Sequence, residues 1–201
     1  MGAEMAREFY AVEIGDVPQW CLDTPVPSEG GALEDPWMFV EGRPVIDPGP
    51  LKTTPFHVDV KRTFSVANAD RTPIANEQVA SVFRELAPDD VQLFPIEIEG
   101  TPERYYVVNA TRRFKCIDEA NCREVQIYPP DGAVPERVGE YRSISGLRID
   151  TSKIEDARVL RPMGWELTLI VSEEIKKGIE RVGNTGVFFN RVTGPRSTHS
   201  E

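Results

Sequence analysis

Few residues in this chain can do covalent chemistry. It has two histidines, His57 and His199, and three cysteines, Cys21, Cys116 and Cys122. His199 sits in a polar tail, so a Ser-His-Asp or Cys-His centre would have to use His57. His57, in Pro55-Phe56-His57-Val58-Asp59, reads as a strand residue, and no Gly-x-Ser-x-Gly elbow accompanies it. Metal-ligand patterns are missing too: there is no His-Glu-x-x-His, no Cys-x-x-Cys and no calcium-binding loop. Neither Gly-x-x-x-x-Gly-Lys nor Gly-x-Gly-x-x-Gly occurs, and Gly183-Asn184-Thr185-Gly186 follows a helical pattern where a phosphate cradle would precede one. Carboxylate pairs are common (Glu34-Asp35, Asp89-Asp90, Asp118-Glu119, Glu155-Asp156, Glu173-Glu174), but loop and helix-start positions account for them. The sequence therefore assigns no catalytic, cofactor-binding or metal-binding residue. It reads as a binder, not an enzyme, and calls for no cofactor.

Binding chemistry is better represented. Residues 1–100 hold 7 Lys and Arg against 18 Asp and Glu, whereas residues 101–201 hold 16 against 15. The net charge of −10 thus comes from the first half. Such a surface repels phosphate backbones and speeds encounter with a basic protein, so nucleic acid is excluded as a partner. The run Arg112-Arg113-Phe114-Lys115-Cys116-Ile117-Asp118-Glu119 concentrates the residue types enriched at protein interfaces. The partner-binding candidates are Trp37, Asp89, Asp90, Glu97, Glu99, Arg112, Arg113, Lys115, Asp118 and Glu119.

These residues must be held by a fold, and the pattern indicates α+β, with mostly antiparallel strands and two short helices. Glu8 to Ile14 reads as a strand. Pro18 to Pro55 holds eight of the seventeen prolines yet keeps Trp20, Trp37, Met38, Phe39 and Val40, which suits an irregular covering layer packed by its aromatics. Phe56 to Val66 reads as one or two strands. Asn76 caps a helix with Val79, Val82, Phe83 and Leu86 on one face, stopped by Pro88. Strands follow at Val91–Ile98, Arg104–Asn109, Arg123–Tyr128, Ser143–Ile149 and Trp165–Val171, with a turn at Pro129-Pro130-Asp131-Gly132. Pro95 argues that the first of these is an edge strand or bulged. Ser172 caps a second helix with Ile175, Ile179 and Val182 inward, Gly183-Asn184 ends it, and Gly186–Val192 gives a last strand. The charge change near Gly100-Thr101-Pro102 divides the chain into an acidic lobe (1–99), an α+β lobe (100–193) and a tail (194–201), unless the two lobes form one continuous domain.

The C-terminal half resembles a known family. The stretch Trp165 to Glu180, then Gly183-Asn184-Thr185-Gly186-Val187-Phe188-Phe189, is similar to the ending of the eleventh polymorphic-toxin immunity protein family, well represented in myxobacteria. Tyr105-Tyr106-Val107-Val108-Asn109, leading to Cys116-Ile117-Asp118, matches it as well, so the resemblance spans residues 80–192. It implies an immunity protein that binds and neutralises a cognate bacterial toxin, with no catalytic residues to transfer. A basic toxin surface would suit the acidic half. The alternatives are a small-ligand or carbohydrate-binding module using Trp20, Trp37 or Trp165 in a cleft, and a carboxylate or thiol enzyme. The lack of a signal-peptide pattern and the odd cysteine count point to the cytoplasm, and no apolar run is long enough for a membrane span.

Overall fold

The computed structural model describes residues 7–57, 60–67, 71–130 and 134–194. His199, most of the 194–201 tail and Asp131-Gly132 of the proline turn lie outside the described residues. In chain order the elements begin with β1 (Phe9–Ile14), β2 (Cys21–Leu22), β3 (Val26–Pro27), β4 (Leu51–Thr53), β5 (Pro55–His57), β6 (Phe64–Ala67) and β7 (Thr72–Asn76). Helix α1 (Glu77–Leu86) comes next, then β8 (Val91–Ile98), β9 (Tyr105–Ala110), β10 (Arg113–Phe114), β11 (Glu124–Ile127) and β12 (Tyr141–Ser145). The chain closes with β13 (Val159–Pro162), β14 (Leu169–Ser172), α2 (Glu173–Val182) and β15 (Val187–Arg191). This is the α+β class, with most pairs antiparallel.

The strands make an eight-stranded sheet ordered β3-β4-β8-β9-β7-β6-β2-β5, a five-stranded sheet ordered β10-β13-β14-β1-β15, and a β11-β12 ribbon. The central strands of both large sheets bury residues on both faces. In β9, Val108 and Ala110 enter the core around the helices, while Tyr105 and Val107 enter a second core beneath the covering layer. In β14, Leu169 and Val171 face the helices, and Ile170 faces a third core with Phe9, Cys116 and Ile154. Residues of both sheets and both helices share the first core, so the helix pair lies between the sheets. A Cβ at Gly178 of α2 would fall 2.5 Å from Val82 Cγ1 of α1, so glycine is what permits this close approach.

The proline-rich segment is ordered and packed by aromatics. Phe39 meets Phe94 at 5.7 Å between ring centroids, and Trp20 meets Tyr105 edge-on at 5.5 Å. Each fully buried large apolar side chain of this kind stabilises the fold by about 1.5–3 kcal/mol, enough to hold a segment with little regular structure.

Four expectations need correction. β8 is interior, between β4 and β9, although it contains Pro95. The β4 ladder begins at Ile96, so Pro95 stands beyond that pairing and its missing donor breaks no bond on that side. Residues 165–168 form a turn, not strand: the Thr168 N–H donates to the Trp165 carbonyl, and β14 starts only at Leu169. The preceding strand β13 had not been anticipated. The expected Ser143–Ile149 strand sits earlier, as β12, paired with β11; Ile149 instead forms an isolated bridge with Ile117.

Candidate partner-binding site

The candidate residues fall into three groups. In the first, Asp90 is buried, and its carboxylate accepts the backbone N–H groups of Arg158 (2.7 Å) and Val159 (3.2 Å). Arg112 bridges Asp90 at 3.4 Å, Asp156 at 3.0 Å and Glu155 at 2.6 Å, and its guanidinium lies 5.2 Å from the Phe114 ring centre. These two residues tie the end of α1 to the loop before β13. Asp89 is exposed beside them, and its carbonyl accepts from the Thr111 hydroxyl. Lys115 is exposed, and Asp118 closes a turn, accepting from the Asn121 amide at 2.7 Å. The run from Arg112 to Glu119 is thus partly a short edge strand and partly a turn, with its strongest ionic group directed inward.

The second group lies on the eight-stranded sheet. Glu97 and Glu99 point out, alternating with buried Ile96 and Ile98. Helix α1 starts at Glu77, whose carboxylate accepts from the Tyr106 hydroxyl, so the start of β9 and the end of β8 lie beyond the helix. The uncovered surface is a cleft of about 940 Å³ between β4, β8 and the β8–β9 turn. Its lining carries Glu97, Glu99 and Glu103 against Lys52 and Arg104, a small excess of acid. Thr54 donates to Glu99 at 3.1 Å. Lys61 donates to Glu103 at 2.6 Å and holds that carboxyl below its usual range, as the Tyr106 hydroxyl does for Glu77.

The third group converges on a cleft of about 660 Å³ at the β13–β14 turn, lined by Arg71, Tyr141, Met163, Trp165, Glu166 and Leu167 among others. Three candidates reach it through one neighbour each. Trp37 lies under the Arg71 guanidinium (4.8 Å to the ring centre), Arg113 pairs with Glu166 at 3.4 Å, and Glu119 accepts from the Tyr141 hydroxyl. Behind the cleft wall sits Arg161, fully buried in β13. Its guanidinium donates to the carbonyls of Glu166 (2.8 Å), Leu167 (3.3 Å), Phe39 (3.4 Å) and Arg71 (3.3 Å). Its Nε has no partner among the described residues, and burial lowers its pKa to about 10. Gly42 lets the covering layer approach here, because a Cβ would meet those of Arg113 and Arg161 at 3.0 and 3.1 Å. Sequence reasoning missed Arg71, Arg161, Met163 and Leu167 as site residues. Gly164, at φ +83°, was the one available signal that a turn would expose Trp165 and Leu167.

The other two readings of the sequence can now be placed. Trp20 is buried against Tyr105, which removes it from any cleft, whereas Trp165 lines the third group's cleft and Trp37 stays partly open next to it, under Arg71. The β2–β5 register sets Cys21 opposite His57. His57 is exposed, and among the described residues no hydrogen bond joins it to the thiol. Cys116 is buried, which pushes its thiol up to about 11 and leaves it protonated and unreactive.

A family model for an immunity protein family (Imm11) matches residues 74–194, more than half of the chain. The chain belongs to this family. No curated protein matches it. The Imm11 match begins in β7 and ends past β15, so it takes in both helices and the β13–β14 turn. It leaves out the covering layer with Trp37, and also β1, which nevertheless lies between β14 and β15. Among the described residues of this Imm11 protein, no helix is long and apolar enough to cross a membrane.

Proposed function

We propose that this chain is an immunity protein that neutralises a cognate bacterial toxin by binding it, without catalysis. The observation that carries this reading is the family match, which spans both helices, β7 to β9 of the eight-stranded sheet and all of the five-stranded sheet except β1. The surface chemistry supports it. Glu97 and Glu99 stand exposed in an open cleft, in a chain of net charge −10 whose acid lies in residues 1–100, which suits capture of a basic toxin surface. The binding takes place in the cytoplasm, a compartment consistent with an odd number of cysteines.

Co-expression with the toxin encoded beside this gene tests the reading. Growth should be rescued and the two proteins should co-purify; no rescue and no co-purification would remove it. The Glu97→Lys/Glu99→Lys double variant should slow association severalfold at low salt and flatten its salt dependence, with dissociation little changed.

A further inference from the structure

The cleft at the β13–β14 turn has a character opposite to that of the rest of the molecule. Its lining exposes large apolar side chains, Met163 and Leu167, each 43% exposed, and Trp37, stacked under the lining residue Arg71, is 41% exposed. Met, Trp and Arg gathered around a concavity form the composition of a protein-interface centre. The charges around it do not cancel. Arg137 is paired with Glu140 at 2.8 Å, and Glu166 is taken by Arg113 and by the Gly164 N–H. That leaves Arg71 at the surface and Arg161 behind the wall. Arg71 stacks on Trp37 and has no carboxylate within ion-pair distance among the described residues. Arg161, behind the wall, is satisfied only by carbonyls, three of which belong to the cleft-lining residues Arg71, Glu166 and Leu167. Glu166 offsets Arg161 in part, so among the described residues Arg71 is the cation at this cleft that no carboxylate pairs, in a chain with ten excess negative charges. In a partly desolvated site such charge favours an anionic group that solvent would otherwise screen.

We propose that this cleft receives a large apolar side chain of the toxin together with an adjacent carboxylate, the apolar group packing on Trp165, Met163 and Leu167 and the carboxylate meeting Arg71. The inference rests on the toxin-binding reading and deepens it: the acidic half, with Glu97 and Glu99, speeds encounter with a basic surface, while this cleft anchors one acidic, apolar element of the same partner. A neutral sugar would use Trp165 and could accept a hydrogen bond from Arg71 but gain no charge–charge attraction from it, which is why a protein carboxylate is preferred.

The test uses the full chain and a catalytically inactivated form of the toxin encoded beside this gene, with affinity measured by titration calorimetry. Arg71→Glu and Leu167→Asp should each weaken binding by about ten-fold or more. Arg71→Lys should retain part of the affinity, and Ile46→Ser, on exposed covering-layer surface, should bind as the unaltered chain does. Replacing the facing toxin carboxylate with lysine should restore binding to Arg71→Glu. Melting curves confirm that each variant is folded, and Arg71 and Leu167 are exposed enough for that to hold. If the unaltered chain binds tightly and both variants bind equally well, the cleft is not the anchor and the inference fails while the function stands. If the unaltered chain does not bind, the function fails and takes the inference with it. Saccharide binding that quenches tryptophan fluorescence, with toxin affinity untouched by both variants, would also overturn it.

Discussion

Two charged residues hold this fold together from inside, and each has a measurable cost of removal. Asp90 accepts two backbone N–H groups at the start of β13 and partly neutralises Arg112. Asp90→Ala leaves those donors buried and unpaired, so unfolding in urea should show a loss of about 2–4 kcal/mol. Asp89→Ala, one residue away and exposed, should change stability by less than about 0.5 kcal/mol. Nothing in Asp89-Asp90 reveals which carboxylate turns inward. The choice is made by Arg158 and Val159, far along the chain, so both acids read equally well as surface contacts. Arg161 poses the same problem in reverse. Arg161→Leu strands the carbonyls of Phe39, Arg71, Glu166 and Leu167 and should cost about 3–5 kcal/mol, with lysine a poor rescue because it lacks the planar fork. Its signal in the sequence was slight: one arginine between Leu160 and Pro162, in a run that is buried throughout.

At the scale of elements, the two helices start by different means. Asn76 accepts the Val79 N–H through its side chain at 3.0 Å, whereas the Ser172 hydroxyl occupies the same position at the start of α2, buried and without a partner among the described residues. Asn76→Ala should cost about 1 kcal/mol, and Ser172→Ala should be neutral or slightly stabilising, both read from denaturation midpoints. Gly178→Leu should separate α2 from α1 and destabilise by about 1–3 kcal/mol, since even a Cβ overlaps Val82. Both helices were legible because their apolar spacing and their stops, Pro88 and Gly183, are local. The 165–168 segment was not, since Trp165, Leu167, Leu169 and Val171 alternate as a strand would. Only the turn bond from Thr168 to Trp165 and the positive φ of Gly164 divide them, and with them the cleft appears. The acidic cleft was half legible: Glu97 and Glu99 alternate with apolar residues, but where α1 stops covering the sheet depends on packing.

For the whole molecule, the crossing of the chain between sheets matters more than its charge asymmetry. β1, from the acidic half, pairs with both β14 and β15, while β9, from the other half, sits between β8 and β7. Thermal unfolding should therefore be a single transition with matching calorimetric and van't Hoff enthalpies, and two resolved transitions would favour independent lobes. The same interlocking predicts where pH acts. Burial first, then the Glu8 carboxylate, raises Tyr10 from 10.0 to about 12. Burial raises Tyr105 and Tyr141 by the same amount, with Glu103 and Glu119 respectively adding to it. Tyr105 lies under the covering layer and donates its hydroxyl to the Arg62 carbonyl at 3.0 Å, so its phenolate would lose that bond and sit without compensation. A group whose pKa is raised by folding favours the folded state while protonated. Its contribution is complete below the unfolded value near 10 and disappears as pH rises through about 12. Cys116 behaves likewise from 9.0 to about 11. The denaturation midpoint should thus hold steady through neutral pH, begin to fall near pH 9 as Cys116 enters its window, and fall most steeply between about pH 10 and 12. Tyr105→Phe should retain more stability at the alkaline end than the unaltered chain, relative to neutral pH. An alkaline profile identical in that variant would mean that Tyr105 ionises without unfolding the layer above it.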